Sequence, residues 1–446
     1  MNQTLHRLFW RIHFWAGLIS TPIVIFAALT GLLYALSPQI EARLYADLDH
    51  VTVPANPTAK ASLDQQVAAA LAEHPHEALR HVVPAHGATD STQVYLQAAH
   101  AHHQAKQGDH DHGLPNGSIV YVNPYTAQVL GQLPELQRFK TWSKKLHSSA
   151  LQGDGWRWLI ELGASWMLVL FATGLVLWWP KSQAQGGPGW RALWPRRGAS
   201  PRLTWRDLHA SVAIALGLVT VTVLVTGLTW AEHSGDNFRA AQQALGQGTP
   251  KAPKGLRSQA GASSSTPLSW QAAHEQVRAQ APDIAVQLTP PSSADGVWRA
   301  ENFDRSQPTK RFTRVIDAYS GQTLFRSGWD QLPALAKATA VGIPFHRGEF
   351  GGWNQGLLIL AALAAVFSVV SGLMMWWWRR PRGGLAAPQV SRQTLRQLPP
   401  RTWWWLLPLA GALSLALPVF GWSLALFTAI EVVRLCLERQ AALSAS

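Results

Sequence analysis

Long apolar runs alternate with mixed polar segments along this chain, and the alternation predicts membrane helices. Each of four runs is long enough for the roughly 20 residues that a bilayer core of about 30 Å requires. They cover residues 12–37, 156–179, 208–230 and 353–378. A fifth run, 403–437, is interrupted by Pro418 and Gly421, which favour a membrane hairpin over one long helix. The pattern predicts an α-helical integral membrane protein that crosses the bilayer several times.

The two long segments between the apolar runs, 39–146 and 234–345, share one internal pattern. Each begins with a short amphipathic helix and continues with extended, strand-like stretches. The stretch VNPYTAQVL (122–130) and the stretch IDAYSGQTL (316–324) predict the same hairpin in both segments. We therefore expect two small α+β modules, each a helix on its own antiparallel sheet. The helix–module–helix unit then occurs twice and is followed by the C-terminal hairpin.

Charge gives the expected orientation in the membrane. The N-terminal residues and the loops 180–206 and 379–402 carry Lys and Arg but no Asp or Glu. By the positive-inside rule these parts face the cytoplasm, which places the N-terminus inside and both modules outside. The net charge of +13 is therefore explained by topology, so lipid is an expected partner and nucleic acid is not. The first run resembles a signal peptide but is longer, and the internal copy at 208–230 favours a retained helix.

Four histidines recur at the ends of the predicted helices. His13 and His209 each precede a Thr-Gly pair by the same interval, from 13 to 30 and from 209 to 226. His147 and His346 precede the other two helices, which contain Thr173-Gly174 and Ser371-Gly372. Ionisable side chains at the membrane are costly and usually functional. One alternative is that each is an interfacial residue bonded to a lipid headgroup or a carbonyl group.

Paired histidines of this kind predict two bound haem b groups and electron transfer. The single cysteine, Cys436, excludes a C-x-x-C-H attachment, so histidine would hold each haem non-covalently. Topology assigns His13 and His209 to a cytoplasmic-side haem, and His147 and His346 to an outer haem. His233, at the outer end of the third helix, is an alternative outer ligand.

Two other polar features are candidates for metal binding or for an ion pair. A tract in the first module is dense enough in histidine to bind a transition metal, and a disordered polar insertion is the alternative. Its histidines are His100, His102, His103, His110 and His112. Glu161 in the second helix follows Arg157 by one helical turn, which predicts an ion pair between them.

These motifs together resemble the PepSY-associated transmembrane family of bacterial inner-membrane proteins. They include the first helix ending in TGLLY, the outer turn VNPYT, and the segments LHSSALQGDGW…TGLVLWWP and FHRGEFGGWNQ…SGLMMWWWRRP. The resemblance implies two PepSY-like periplasmic modules and a haem b ferric-siderophore reductase that releases Fe(II) for iron acquisition. A flavin segment is absent from the sequence. A separate electron donor, a quinol or a cytoplasmic reductase, is therefore expected.

Two other functions fit the same sequence. In the first, the chain is a non-redox PepSY accessory protein that binds a peptide or protease. In the second, it is a quinol-linked cytochrome with another periplasmic acceptor. No catalytic acid–base pair is predicted, because reduction of a ferric chelate needs only a docking surface near the outer haem. Basic residues of the second module are candidates for that surface: Arg305, Lys310, Arg311 and Arg314.

Overall fold

A computed structural model gives a mostly helical protein with one β-sheet domain. It describes residues 3–444 except for nine short stretches: 56–59, 99–113, 185–193, 197, 199, 260–265, 382–383, 385–386 and 389–394. Within the described part, four helices are long and apolar enough to cross a membrane, or five if a bent helix pair forms one span. The prediction of a helical membrane protein is confirmed at this level.

The membrane helices form one bundle. Its long helices are α1 (Gln3–Ala35), α6 (Arg157–Ala184) and α12 (Gly352–Arg379). Helix α1 packs on both α6 and α12. Small residues allow close approach: a Cβ added to Gly163 of α6 would lie 2.6 Å from Ile23 Cγ2 of α1. Helix α1 begins nine residues before the predicted start at residue 12, so Arg7 and Arg11 lie on the helix.

The third membrane segment is bent, whereas the sequence predicts one straight helix over 208–230. It consists of α7 (Pro201–Ala215) and α8 (Gly217–Leu228), which meet at an angle of 58°. Gly217 lies at the break, and a Cβ there would be 2.3 Å from Phe171 Cε2 of α6. The ring of Phe171 thus occupies the space that a side chain at this position would need.

The two predicted modules share a single antiparallel sheet of eight strands, in the order β4-β3-β2-β1-β5-β6-β7-β8. The first half contains β1 (Glu77–Val83), β2 (Thr92–Ala98), β3 (Gly117–Val122) and β4 (Val129–Pro134). The second contains β5 (Val286–Thr289), β6 (Val297–Asn302), β7 (Phe312–Asp317) and β8 (Thr323–Gly328). The expectation of two separate sheets is wrong, because β1 pairs with β5 through Val82 and Leu288. This pairing satisfies backbone groups that two open edges would leave exposed.

One helix from each half covers the same sheet: α4 (Leu63–Glu73) and α10 (Trp270–Arg278). Each half has a core of buried apolar side chains, and Trp270 packs against both cores. The N-termini of α4 and α10 also cap each other. Asp64 accepts hydrogen bonds from the backbone N–H groups of Trp270 (2.8 Å) and Gln271 (3.1 Å), and Gln271 Oε1 accepts one from Leu63 N (2.9 Å).

Replacing Asp64 with alanine should destabilise the sheet domain by about 1 kcal/mol, because the start of α10 loses the side-chain oxygens that accept its N–H groups. Thermal unfolding of the purified full chain, followed by circular dichroism, measures the loss. Substitution of Glu73, an exposed residue of the same helix, is the matched control and should not lower the midpoint. Equal midpoints for both variants would show that the reciprocal caps do not stabilise the sheet.

Chain connectivity puts the sheet at one end of the bundle. The first half follows α1 and precedes α6, and the second half follows α8 and precedes α12. The C-terminus of α1 and the N-terminus of α6 therefore lie at the sheet-side end of the bundle, and the N-terminus of α1 lies at the far end. The remaining helices are α2 (Ser37–Leu44), α3 (Ala46–Asp49), α5 (Phe139–Ser149), α9 (His233–Ala244) and α11 (Ala334–His346).

The C-terminal segment forms two helices, α13 (Pro400–Ala416) and α14 (Pro418–Ser444). At the far end of the bundle, Trp405 of α13 stacks on Phe9, and Glu431 of α14 forms an ion pair with Arg11. At the sheet-side end, the carbonyl of Leu415 accepts a hydrogen bond from Asn237 (2.7 Å). The two helices therefore run in opposite directions along the bundle.

Candidate functional site

The histidines His13 and His209 face each other at the far end of the bundle, and we call them the far pair. His13 lies on α1 and His209 on α7; their ring centroids are 6.4 Å apart and the ring planes are nearly perpendicular, at 84°. His13 Nδ1 is 2.9 Å from Thr173 Oγ1 of α6. His209 Nδ1 is 2.8 Å from Ser371 Oγ of α12. Four different helices thus hold the two rings.

The histidines His147 and His346 form a second pair, which we call the sheet-side pair. His147 lies near the end of α5 and His346 is the last residue of α11. Both line the same cavity. His147 Nδ1 is 3.0 Å from Thr30 Oγ1 of α1. His346 Nδ1 is 2.8 Å from the carbonyl oxygen of Val223 of α8 and 3.5 Å from Thr226 Oγ1.

The structure brings together the two histidine pairs that the sequence predicts, and it adds hydroxyl partners that the sequence did not indicate. Each histidine meets the Thr-Gly or Ser-Gly pair of a neighbouring helix, not the pair that follows it along its own segment. His13 and Thr30 therefore belong to opposite ends of α1. Their interval of 17 residues, from 13 to 30, corresponds to about 26 Å of helix rise and separates the two sites by most of a bilayer core.

Glycine next to each hydroxyl residue permits close approach of the imidazole. A Cβ would lie 3.4 Å from His147 Cε1 at Gly31, and 3.4 Å from His13 Cε1 at Gly174. At Gly227 the distance to His346 Cε1 would be only 2.8 Å, which a side chain cannot adopt without movement of the ring. At Gly372 it would be 3.8 Å, an ordinary contact with His209. Three of the four positions thus exclude or crowd any larger residue.

The cavity of the sheet-side pair has a volume of about 210 Å³. Small residues from three helices form much of its wall: Ala27, Ala28, Gly31, Ala164, Ala361, Ala362 and Ala365. Three cationic side chains and one carboxylate also line it, namely Lys144, Arg157, Arg347 and Glu161. Small side chains in the wall leave room for a flat molecule. The cationic side chains suit a molecule with anionic groups. Nothing in the sequence spacing of these three cations indicates that they line one cavity.

Burial keeps the sheet-side histidines neutral. It lowers the pKa of His147, which lies outside the membrane-spanning helices, to about 4, and the neighbouring His346 also lowers it. Burial likewise lowers the pKa of His346. The neutral imidazole is the form that binds metal ions. Both rings are therefore ready to act as ligands across the physiological pH range.

His233, the alternative outer ligand, lies outside the group of residues that line this cavity. Its Nδ1 is 3.4 Å from Glu161 Oε2, and its ring packs edge-on against Trp422 at 5.1 Å. Glu161 accepts hydrogen bonds from the backbone N–H groups of His233 (3.1 Å) and Ser234 (2.8 Å). The buried carboxylate therefore caps the positive N-terminal end of α9, which the sequence did not indicate.

The remaining sequence candidates divide into those inside and outside the described residues. The histidine-rich tract 100–112 lies outside them. Among the described residues, no group of three or more His, Cys, Asp or Glu side chains could hold a metal ion. Of the proposed docking residues, Arg314 is only 8% exposed and donates to the carbonyl of Gln280 (2.9 Å). Arg314 is therefore unavailable for docking.

Comparison with known proteins assigns the chain by its family alone. No curated protein matches the sequence. The family described as the PepSY-associated TM region matches residues 10–380, which include both histidine pairs and the whole eight-stranded sheet. Helices α13 and α14 lie beyond the matched residues. Because the match covers most of the sequence, the chain belongs to the PepSY-associated TM region family.

Proposed function

We propose that the protein carries electrons across the bacterial inner membrane and reduces a ferric chelate, a siderophore complex, to release Fe(II). His13 and His209 would hold one haem b, and His147 and His346 a second. The observation that supports this most strongly is the pairing of two histidines at each of two sites on opposite ends of one bundle. When bound, haem b supplies the one-electron chemistry of its iron.

The far pair has the spacing that a shared metal requires. A metal shared by two histidines lies about 2 Å from each ligating nitrogen. Adding the distance from each nitrogen to the centre of its ring gives about 6 Å between the ring centres. The centroids of His13 and His209 are 6.4 Å apart. Among the described residues, no group of three or more His, Cys, Asp or Glu side chains could hold a metal ion, so a histidine pair would suit an iron that a macrocycle also holds. Cys436 is exposed and distant in sequence from both pairs, so attachment would be non-covalent.

The sheet-side pair fits a planar, anionic group in a different way. Both rings line one cavity whose wall is rich in alanine, so a flat molecule can lie against the helices. Lys144, Arg157 and Arg347 line the same cavity and would neutralise carboxylates. Arg347 is held in place, since its Nε donates to Tyr34 Oη (3.0 Å) and its guanidinium pairs with Glu349 (2.9 Å).

Charge around the bundle supports a periplasmic position for the sheet. The loops 180–206 and 379–402 connect helices at the far end and contain basic residues without acidic ones. Under the positive-inside rule the far end faces the cytoplasm, where the N-terminus also lies. The sheet-side pair then lies next to the compartment through which imported ferric chelates pass. The far pair lies on the side from which a quinol or a cytoplasmic reductase delivers electrons.

Transfer of one electron converts bound Fe(III) into Fe(II), and the donor loses that electron. Oxygen-donor chelators bind the smaller, more highly charged ion more strongly, so the ferrous ion is released more readily. Acid–base catalysis is not required of the protein for this step. Its side chains need only dock the chelate close to the sheet-side pair and keep the two histidine pairs in place.

Purified protein should contain about two haem b groups per chain, with the low-spin spectrum of bis-histidine ligation, because each pair would supply two histidine ligands to one haem. A pyridine haemochrome assay and absorption spectra of the oxidised and reduced protein measure this. The protein should be produced in cells supplied with a haem precursor, so that limited haem synthesis does not explain a low haem content. A colourless preparation from such cells would refute the proposal and favour a non-redox anchor.

A further inference from the structure

We infer that Thr30, Thr173 and Ser371 are positioning residues, which fix the tautomer and orientation of His147, His13 and His209. A backbone carbonyl also lies beside each of these three imidazoles, from Ala27, Leu170 and Ser368 in the same order. His346 differs because its nearest acceptor is the main-chain carbonyl of Val223 and not a hydroxyl group. The inference is argued from the hydrogen bonds of four imidazoles. Its expected effects on bound haem rest on the proposed function. Nothing in the sequence pattern distinguishes His346 from the other three.

The direction of each hydrogen bond follows from the single proton that a hydroxyl group carries. Thr30 Oγ1 donates its proton to the carbonyl of Phe26 (2.7 Å). Thr173 Oγ1 donates to Val169 (2.7 Å), and Ser371 Oγ donates to Phe367 (2.6 Å), each in the preceding helical turn. With the proton used in this way, the oxygen can only accept from the facing imidazole.

The facing imidazole nitrogen must therefore carry a proton. His147 Nδ1–H donates to Thr30, His13 Nδ1–H to Thr173, and His209 Nδ1–H to Ser371, over distances of 3.0, 2.9 and 2.8 Å. A neutral imidazole has one protonated nitrogen, so the Nε2 atom of each ring keeps its lone pair. This lone pair is on the side of the ring away from the hydroxyl group. The hydroxyl groups thus select Nε2 as the nitrogen that is free to bind iron.

His346 reaches the same tautomer by another route. Its Nδ1 is 2.8 Å from the carbonyl oxygen of Val223, which can only accept a hydrogen bond. Thr226 Oγ1 lies farther away, at 3.5 Å, and donates to the carbonyl of Thr222 (2.6 Å). The Thr226 hydroxyl is therefore dispensable for the orientation of His346. Thr226 provides a matched internal control for the other three positions.

Loss of a positioning hydroxyl should have two measurable effects at bound haem. A histidine that donates from its second nitrogen is a more basic ligand, and removal of such a partner typically weakens metal affinity about 10–100-fold. A more basic ligand also favours Fe(III), so its loss should raise the reduction potential of the affected haem. A purely structural role for the hydroxyl would leave the potential unchanged.

The test compares Thr30→Val, Thr173→Val and Ser371→Ala with Thr226→Val in the full-length protein. Haem loss to apomyoglobin and spectroelectrochemical titration are the measurements. The first three variants should lose one haem about 10–100-fold more readily and show a raised potential, whereas Thr226→Val should match the wild type. Thr30→Ser and Thr173→Ser should restore wild-type values. Unchanged potentials in the first three variants, or an equal shift in Thr226→Val, would overturn the inference.

A second measurement separates this inference from the proposed function. Nitrogen-15 NMR of histidine-labelled, haem-free protein reports the tautomer of each ring directly. His13, His147 and His209 should carry the proton on Nδ1 in the wild type. The valine or alanine variants should weaken this preference and not abolish it, because the backbone carbonyls of Leu170, Ala27 and Ser368 remain as acceptors. Rings protonated on Nε2 would overturn the inference whether or not haem binds. A protein that binds no haem but shows the Nδ1–H tautomer would refute only the proposed function.

Discussion

Alanine in place of His13 or His209 should reduce the haem content from about two groups per chain to about one and spare the haem of the sheet-side pair. The two ring centroids are 6.4 Å apart, and each variant would remove one of the two histidines that would hold this haem. The sheet-side pair shares no ligand with the far pair and lies about 26 Å away along α1. Haem quantification and low-temperature absorption spectra of each variant measure the loss.

The reciprocal variants test the other site. His147→Ala or His346→Ala should remove the sheet-side haem and keep the far one. His233→Ala is the matched control, since this histidine contacts Glu161 and Trp422 and does not line the cavity. It should retain both haems. The assignment of the sheet-side pair would be wrong if His233→Ala lost that haem while His147→Ala kept it.

The sequence allowed the membrane helices and the recurrence of histidines at their ends to be predicted, because both are local patterns. The grouping of the histidines into pairs came from the duplication together with the positive-inside rule. An apolar run of about 20 residues defines a membrane helix whatever its neighbours are. The turn at VNPYT also follows from local chemistry, since the Asn123 side chain accepts a hydrogen bond from Tyr125 N (2.9 Å). Asp317 does the same for Tyr319 N (2.9 Å) in the second half. Such features need no knowledge of the rest of the chain.

Features that depend on contacts between distant segments could not be predicted. The pairing of Val82 with Leu288 joins the two halves of the sheet, yet alternation along each strand is the same for an edge strand and a central one. The bend at Gly217 depends on the ring of Phe171 from another helix. The hydroxyl partner of each histidine depends on which helices lie side by side. Spacing along one segment draws attention to the histidines but contains no information on their hydroxyl partners.

The largest functional effect is expected for electron transfer to a ferric chelate. Chemically reduced protein in liposomes should be reoxidised by the ferric complex of an oxygen-donor chelator, and Fe(II) should appear in equal amount to the electrons lost. The position of the sheet-side pair explains the direction, because a haem held there would lie at the end of the bundle next to the sheet, where the chelate is proposed to arrive. Haem absorption measures the oxidation of the haems, and the colour of a ferrous chelator complex measures the Fe(II) formed.

Variants of this assay separate reduction of iron from other electron-transfer functions. His147→Ala should abolish Fe(II) production even when the far haem is reduced, because electrons then have no acceptor at the sheet-side end. Deletion of the histidine-rich stretch 100–112 should leave the reaction largely intact, since the second half of the sheet has no such tract in its sequence. If the haems stayed reduced with every ferric chelate but were oxidised by another periplasmic acceptor, the protein would be a cytochrome with a different substrate.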